Sequence, residues 1–221
     1  MKSRLLTIVC LLLSTFPASA DPLVARFESN MGDFDVLLDS IAAPRSVDNF
    51  SAYANRGAYD VTIIHRSTTY NPLDIQIVQG GGFELVGNTL PPIPSDPPIP
   101  LEAGRANALG TLAMARTSDP DSATSQWFFN VTDNPGLDFN YAVFGSVLGA
   151  GQNVIEAIGA VPVYNASAQL GPVFGQLPLL SSSLSADYLV LINRIRVAPF
   201  AITSLTHTSE AVEIRWTPLS T

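Results

Sequence analysis

The apolar positions of this chain fall into many short runs of strand length, and only two segments carry them at helical spacing. Residues 23–27 and 34–38 are runs rich in strand formers, joined through Ser29-Asn30-Met31-Gly32-Asp33. Asn and Gly accept the positive φ of a tight turn, so this pair is predicted as a hairpin. Ala43-Pro44-Arg45-Ser46 then opens a helix, because Pro is tolerated in the first turn. Val47, Phe50 and Ala54 give that helix one buried face, and Gly57 stops it. Residues 59–64 resume as a strand ending at His65-Arg66, and Val78 leads into a Gly80-Gly81-Gly82 turn. Strand patterns return at 110–115, 127–131 and 141–147, and Val154, Ile155 and Ile158 mark a second short helix after Gly151. A closing strand at 188–197 is apolar in its first half and then alternates with Asn193, Arg194 and Arg196.

Two stretches interrupt this pattern. Residues 91–100 hold six prolines in ten positions, too few backbone donors for a sheet or helix, and should lie extended on the surface. Residues 161–185 are rich in Gly, Pro and Ser and read as a loop around the outside. Many short strands with two helices predict a mainly β fold, a closed antiparallel barrel capped by the two helices. No fixed-period repeat is visible. Beyond the barrel, 211–216 alternates like a sandwich strand. It is either the start of a truncated fibronectin-like β-domain or an edge strand of the first domain. The expected division is 1–20, 21–198 and 199–221.

The first segment carries a different signal. Lys2 and Arg4 precede an apolar run at 5–13, and Ala18-Ser19-Ala20 offers the small residues a signal peptidase accepts. The run falls short of the ~20 residues of a bilayer span. Export to the periplasm or beyond, with cleavage before Asp21, is expected; a retained anchor is the alternative. Cys10 fits a lipidation site poorly, since Thr7-Ile8-Val9 precede it. Its loss leaves a mature chain without cysteine and so without disulfides. Loss of Lys2 and Arg4 leaves 9 basic against 19 acidic residues, a net charge of −10 where the full chain has −8. Such a chain repels phosphate backbones and has no basic run to override this, so nucleic-acid binding is excluded as a function class. No later stretch reads as a membrane span.

The chemistry is narrowed by what is missing. The two histidines, His65 and His207, are far apart in sequence, which gives no basis for a metal site or a resident cofactor. There is no Gly-x-Ser-x-Gly elbow and no phosphate loop ending in Gly-Lys-Ser, and Gly80-Gly81-Gly82 lacks dinucleotide spacing.

The positive signal lies in Thr111-Leu112-Ala113-Met114-Ala115-Arg116-Thr117 and Ser125-Gln126-Trp127-Phe128-Phe129. Strand residues at i and i+2 share a face, so Gln126 and Phe128 should project together, an amide beside an aromatic wall. With Ile64-His65-Arg66 and Gln79-Gly80-Gly81-Gly82-Phe83, this pattern resembles the cyclophilin-type peptidyl-prolyl cis-trans isomerases of bacterial exported type, over residues 23–197. The resemblance implies that family's barrel and its acceleration of X-Pro rotation. That reaction needs no covalent step and no proton transfer. Resonance of the X-Pro amide must be broken, and uncatalysed exchange takes tens of seconds or more. A cation placed where the nitrogen gains lone-pair density favours the twisted amide over the planar one. Arginine supplies it, always charged and with a rigid fork of donors.

Carried over by position, Arg66 falls on the family's catalytic arginine and Gln79 on the glutamine that orients it. Ile77, Phe128 and Leu137 fall on the proline pocket, and Gln126 on the second groove glutamine. Ala115, Arg116 and Thr117 fall on the groove edge that meets residues before proline, and Tyr141 where some members have His. Singly, each residue has a plain reading as surface or core; the ordered blocks carry the resemblance. The implied partners are proline-containing polypeptides and, as a ligand class, cyclosporin-like compounds. Three departures stand out: residues 67–75 are long between the arginine and the glutamine, Gln76 stands where the family has a pocket phenylalanine, and Gly136 where many members have Trp. Losing a ring contact weakens proline binding, since burying a large apolar side chain contributes ~1.5–3 kcal/mol. Gln76 and the long loop therefore leave an alternative: a catalytically weak proline-peptide-binding or chaperone module on the same fold. A surface-display β-protein, with 202–221 opening an array, is the third reading.

Overall fold

β1 (Leu23–Ser29) pairs antiparallel with β2 (Phe34–Leu38), with Phe27 opposite Phe34, so the expected hairpin forms. Gly32 takes the turn at φ +122°, and the Ser29 hydroxyl donates to Gly32 O at 2.6 Å while accepting from Met31 N at 3.1 Å. Asn30 has a different task from the one its turn propensity suggests. Its side chain donates to Leu189 O and accepts from Leu191 N, both at 2.9 Å, tying the turn to the closing strand. The structure, a computed structural model, describes residues 22–68, 75–207 and 212–218, with side chains through 200. The leader read at 1–20 and the middle of the long 67–75 segment lie outside the described residues.

Three short strands follow, β3 (Thr62–Ile63), β4 (Arg66–Ser67) and β5 (Ile77–Gly80). β6 (Thr111–Met114), β7 (Trp127–Asn130) and β8 (Val143–Val147) complete the middle of the sheet. β9 (Val163–Tyr164) and β10 (Leu177–Pro178) form a separate pair. β11 (Leu191–His207) runs along β1 and, beyond residue 200, along β12 (Val212–Pro218). Ten strands make one sheet in the order β12-β11-β1-β2-β8-β6-β7-β5-β4, with β3 paired to β11.

The mainly β antiparallel fold with few helices is as expected, its sheet curled as a half-barrel. Among the described residues, the segment 62–67 joins its two margins. It pairs with β11 through Thr62 and Ile63 and with β5 through Arg66 and Ser67. The crossing lies where Ile64 N donates to Val190 O (2.9 Å) and His65 N to Gln79 O (3.0 Å). The run at 59–64 is a shorter strand than its apolar character suggests, because Tyr59 to Val61 turn and Val61 sits at φ 57°.

α1 (Pro44–Asn55) starts at the expected proline and buries Val47, Phe50, Tyr53 and Ala54. α2 (Gly151–Gly159) buries Ile155 and Ile158 in the same core. Phe27 stacks on Phe34 with ring centroids 4.8 Å apart and meets Trp127 and Phe129 edge-on, each at 5.3 Å. Edge-to-face and offset contacts of this kind add to the area effect. The proline-rich stretch is extended as expected but pinned inward. Ile93 is buried and its N–H reaches Gly82 O at 3.1 Å, while Asp96 pairs with Arg56 at 2.6 Å. The segment read as a loop at 161–185 contains a one-turn helix, α3 (Ser167–Leu170), and buries Phe174 and Leu177 in a satellite core.

Candidate active site

Strand alternation separates two faces of β5, β6 and β7. Val78, Leu112, Met114, Trp127 and Phe129 enter the main core. Ile77, Ala113 and Phe128 point the other way and, with Leu137 and Val143, form a distinct apolar cluster against which Ala115 and Tyr141 pack. Residues directly opposite in antiparallel strands share a face. The register is Arg66 opposite Gln79, Gln79 opposite Phe128, and Phe128 opposite Ala113. Arg66, Gln79, Phe128 and Ala113 therefore lie in one row across β4, β5, β7 and β6. Adjacent strands are spaced ~4.8 Å apart, so the guanidinium root and the phenyl ring root are about 10 Å apart.

A cavity of about 570 Å³ opens above this row. Eight of the ten residues singled out from the sequence line it: Arg66, Gln79, Ile77, Ala115, Arg116, Phe128, Leu137 and Tyr141. Phe128 meets Tyr141 edge-on at 5.5 Å, and the Arg116 guanidinium lies 4.8 Å from the Tyr141 ring centroid. Arg116 Nε also donates to Asn140 O at 2.6 Å, which fixes this cation at the rim. Thr117 stands off the cavity and donates both its N–H and its hydroxyl to Ser122 Oγ. Gln126 does not line the cavity; it is half-buried, and its Oε1 accepts from Gln79 Nε2 at 2.8 Å. Gln79 Oε1 in turn accepts from Arg66 Nη1 at 3.3 Å.

His65, next to Arg66 in sequence, is buried and faces Phe83 edge-on at 5.0 Å. Its pKa is lowered to about 4: loss of solvation is the largest cause, the Arg66 charge acts in the same direction, and a bond with Gln126 opposes both. The imidazole is thus neutral at pH 7, and Arg66 is the charged group of this end of the cavity. The three glycines serve packing. A Cβ at Gly80 would lie 2.6 Å from the Trp127 ring, and at Gly82 2.9 Å from the Gln126 amide carbon. At Gly81 it would meet Ser125 O at 2.7 Å, with φ already at +74°.

Gln76 does not line the cavity, contrary to the expectation that it replaces a pocket ring. Residues 75, 76 and 77 alternate, so Ile75 and Ile77 face the cavity and supply the apolar wall. Gln76 is held through its backbone, accepting from Asn134 Nδ2 and donating to Asn134 Oδ1, both at 3.0 Å. Gly136 does not line the cavity, and a Cβ there would meet nothing within 4 Å. Sequence reasoning missed Ile75, Thr68 and Gln176, which also line it. The period-two run Ile75, Ile77, Gln79 could have revealed the first. Thr68 is placed by pairing, its hydroxyl bonded to Ile75 O and to Ile77 N (3.0 Å). Gln176 sits in a Gly- and Pro-rich stretch with no local signal.

Among the described residues no group of His, Cys, Asp and Glu could hold a metal ion, and no helix is long and apolar enough to cross a membrane. Residues 24–173 match the family described as cyclophilin type peptidyl-prolyl cis-trans isomerase/CLD. The chain is 40% identical over 169 residues to a peptidyl-prolyl cis-trans isomerase of Acinetobacter baylyi, covering 73% of this chain and 85% of that one. It is 39% identical over 178 residues to peptidyl-prolyl cis-trans isomerase A of Dickeya dadantii, covering 75% and 88%. In fold it is similar to a Cryptosporidium parvum cyclophilin-type isomerase crystallised in the presence of the dipeptide Ala-Pro. The TM-score is 0.57 at 22% identity, over 79% of this chain and 98% of that one.

Proposed function

This chain belongs to the cyclophilin-type peptidyl-prolyl cis-trans isomerases, and from that premise we propose how its residues perform the isomerisation. Its activity is rotation about peptidyl-prolyl bonds. In our reading the proline ring of a polypeptide enters the apolar cluster of Ile77, Phe128 and Leu137. Ala115, Arg116 and Thr117 border the residues before proline. Arg66 presents its guanidinium to the amide nitrogen as the bond twists, and Gln79 holds that guanidinium in place. Gln126 acts behind Gln79 and sets its amide orientation. The stabilisation is electrostatic and is greatest for the twisted state, which is what raises a rate rather than an affinity.

The observation that supports this most is the register row that sets Arg66 and Phe128 on one face, with Gln79 between them. The weak-binder alternative rested on Gln76 and the long 67–75 loop; Gln76 lies off the cavity, so the first of these supports is lost. Proline-containing chains are the proposed substrates, and the Ala-Pro peptide of the fold neighbour is consistent with them. Cyclosporin-like ligands are proposed for the same groove. We also propose export. A mature N-terminus at Asp21, read by N-terminal sequencing of protein recovered from outside the cytoplasm, would support it; protein with an intact Met1 confined to the cytoplasmic fraction would refute it.

The test of the catalytic reading is isomerisation of a short X-Pro peptide by the wild-type protein and by Arg66→Ala. Removing one positioned charge donor costs roughly 100-fold or more in kcat. A variant that turns over at the wild-type rate would remove Arg66 from the mechanism.

A further inference from the structure

We infer that Gln176 is a positioning residue for Arg66, holding the guanidinium by its Nε edge while Gln79 holds it by Nη1. The inference rests on the catalytic reading of Arg66. Arg66 Nε donates to Gln176 Oε1 at 2.9 Å, a shorter contact than the 3.3 Å from Nη1 to Gln79. A guanidinium has five N–H donors in a rigid plane. A single acceptor lets that plane swing about one bond, whereas two acceptors on different nitrogens fix both its tilt and its rotation. The remaining donors are then left for the substrate in a set orientation.

The backbone of Gln176 is built for this. Its carbonyl accepts from Ser67 N at 2.9 Å, so residue 176 is docked beside the very strand that carries Arg66. Phe174 and Leu177 on either side are buried, and Phe174 packs on Phe83 with centroids 4.8 Å apart. Phe83 also packs edge-on against His65, the neighbour of Arg66. The segment after α2, which has no place in the sheet that forms the cavity floor, thereby reaches back across 110 positions to the charged end of the site. Gln176 lines the same cavity as Arg66 and Gln79.

A double-mutant cycle in the full chain separates this role from a structural one. Gln176→Met keeps the length of the side chain and removes the acceptor. It is expected to lower kcat for a short X-Pro peptide about tenfold with KM little changed, because misplacement of a catalytic group acts on the transition state. In an Arg66→Ala background the same substitution is expected to change nothing further. The Arg66 Nε–H proton, followed by NMR, should exchange faster with water in Gln176→Met than in the wild type. Gln176→Ser, too short to reach Arg66, supplies the same comparison should the methionine variant not fold. A wild-type kcat in Gln176→Met while Arg66→Ala is inactive would overturn the inference, as would an equal loss in both backgrounds. A wild-type rate in Arg66→Ala would overturn the reading beneath it and the inference together.

Discussion

The neutral His65 beside the cationic Arg66 shows how one residue links burial to pH. Its folded pKa is lowered to about 4 by burial and the neighbouring charge, against an ordinary value of 6.5. As pH falls below 6.5 the unfolded chain binds a proton that the folded chain refuses. Stability from this group is therefore complete above pH 6.5, declines between 6.5 and 4, and changes no further below that. The full difference is about 3 kcal/mol at most, at 1.36 kcal/mol per unit. Urea unfolding of wild type and His65→Gln at pH 7 and pH 4.5 measures it. The two stabilities should converge as pH falls, and parallel profiles would contradict the assignment. Gly81 offers a second test at this scale. Gly81→Ala adds a Cβ 2.7 Å from a backbone oxygen at φ +74°, so a loss of about 3 kcal/mol in denaturant unfolding is expected. A change within experimental error would contradict the packing argument.

At the scale of elements, helix α1 depends on a residue far away. Its N-cap is Ala43, which offers no side-chain acceptor. Glu102 fills the gap: Oε1 accepts from Arg45 N at 3.0 Å, and Oε2 accepts from Ser46 N and the Ser46 hydroxyl, both at 2.8 Å. A carboxylate on the exposed N–H groups of a first turn contributes through both the bonds and the helix dipole. Glu102→Ala should lower unfolding stability by about 1–2 kcal/mol, and an unchanged denaturation midpoint would show the cap to be idle. Such long-range partners mark the limit of sequence reading. Pro44 and Gly57 bracket α1 because their backbone preferences act locally, and Ile155 and Ile158 reveal α2 through periodicity alone. Gln126 and Phe128 were readable as an ordered pair, though Gln126 spends its amide oxygen on Gln79 and does not line the cavity. Gln176 and Glu102 were not readable, since each acts on a segment 56 or more residues away without any local pattern. The short seam strands were overestimated because Tyr59 to Val61 are apolar enough for a strand yet turn instead.

For the molecule as a whole, the sheet places β1 and β11, far apart in sequence, side by side. β1 pairs with β11 from Leu23 opposite Pro199 to Ser29 opposite Ile192, and β3 pairs with β11 at Leu191. The match to the family stops at 173, short of this strand. A chain ended at 173 would leave β1 with an open edge, lose Ile192 and Ile195, and expose the core they cover. It is expected to lose cooperative unfolding, followed by fluorescence of Trp127 in denaturant; a sharp transition equal to that of the full chain would show β11 to be dispensable. The same sheet sets the active face, since its register aligns the cation with the apolar cluster. We propose a division of labour along that row: Phe128 grips the proline ring, and Arg66 lowers the barrier once it is gripped. Steady-state isomerisation of one X-Pro peptide by Arg66→Ala and Phe128→Ala measures it most directly. Arg66→Ala should lower kcat roughly 100-fold with KM nearly unchanged, and Phe128→Ala should raise KM more than it lowers kcat. Equal effects of both variants on kcat and KM, or a loss in KM alone for Arg66→Ala, would contradict it.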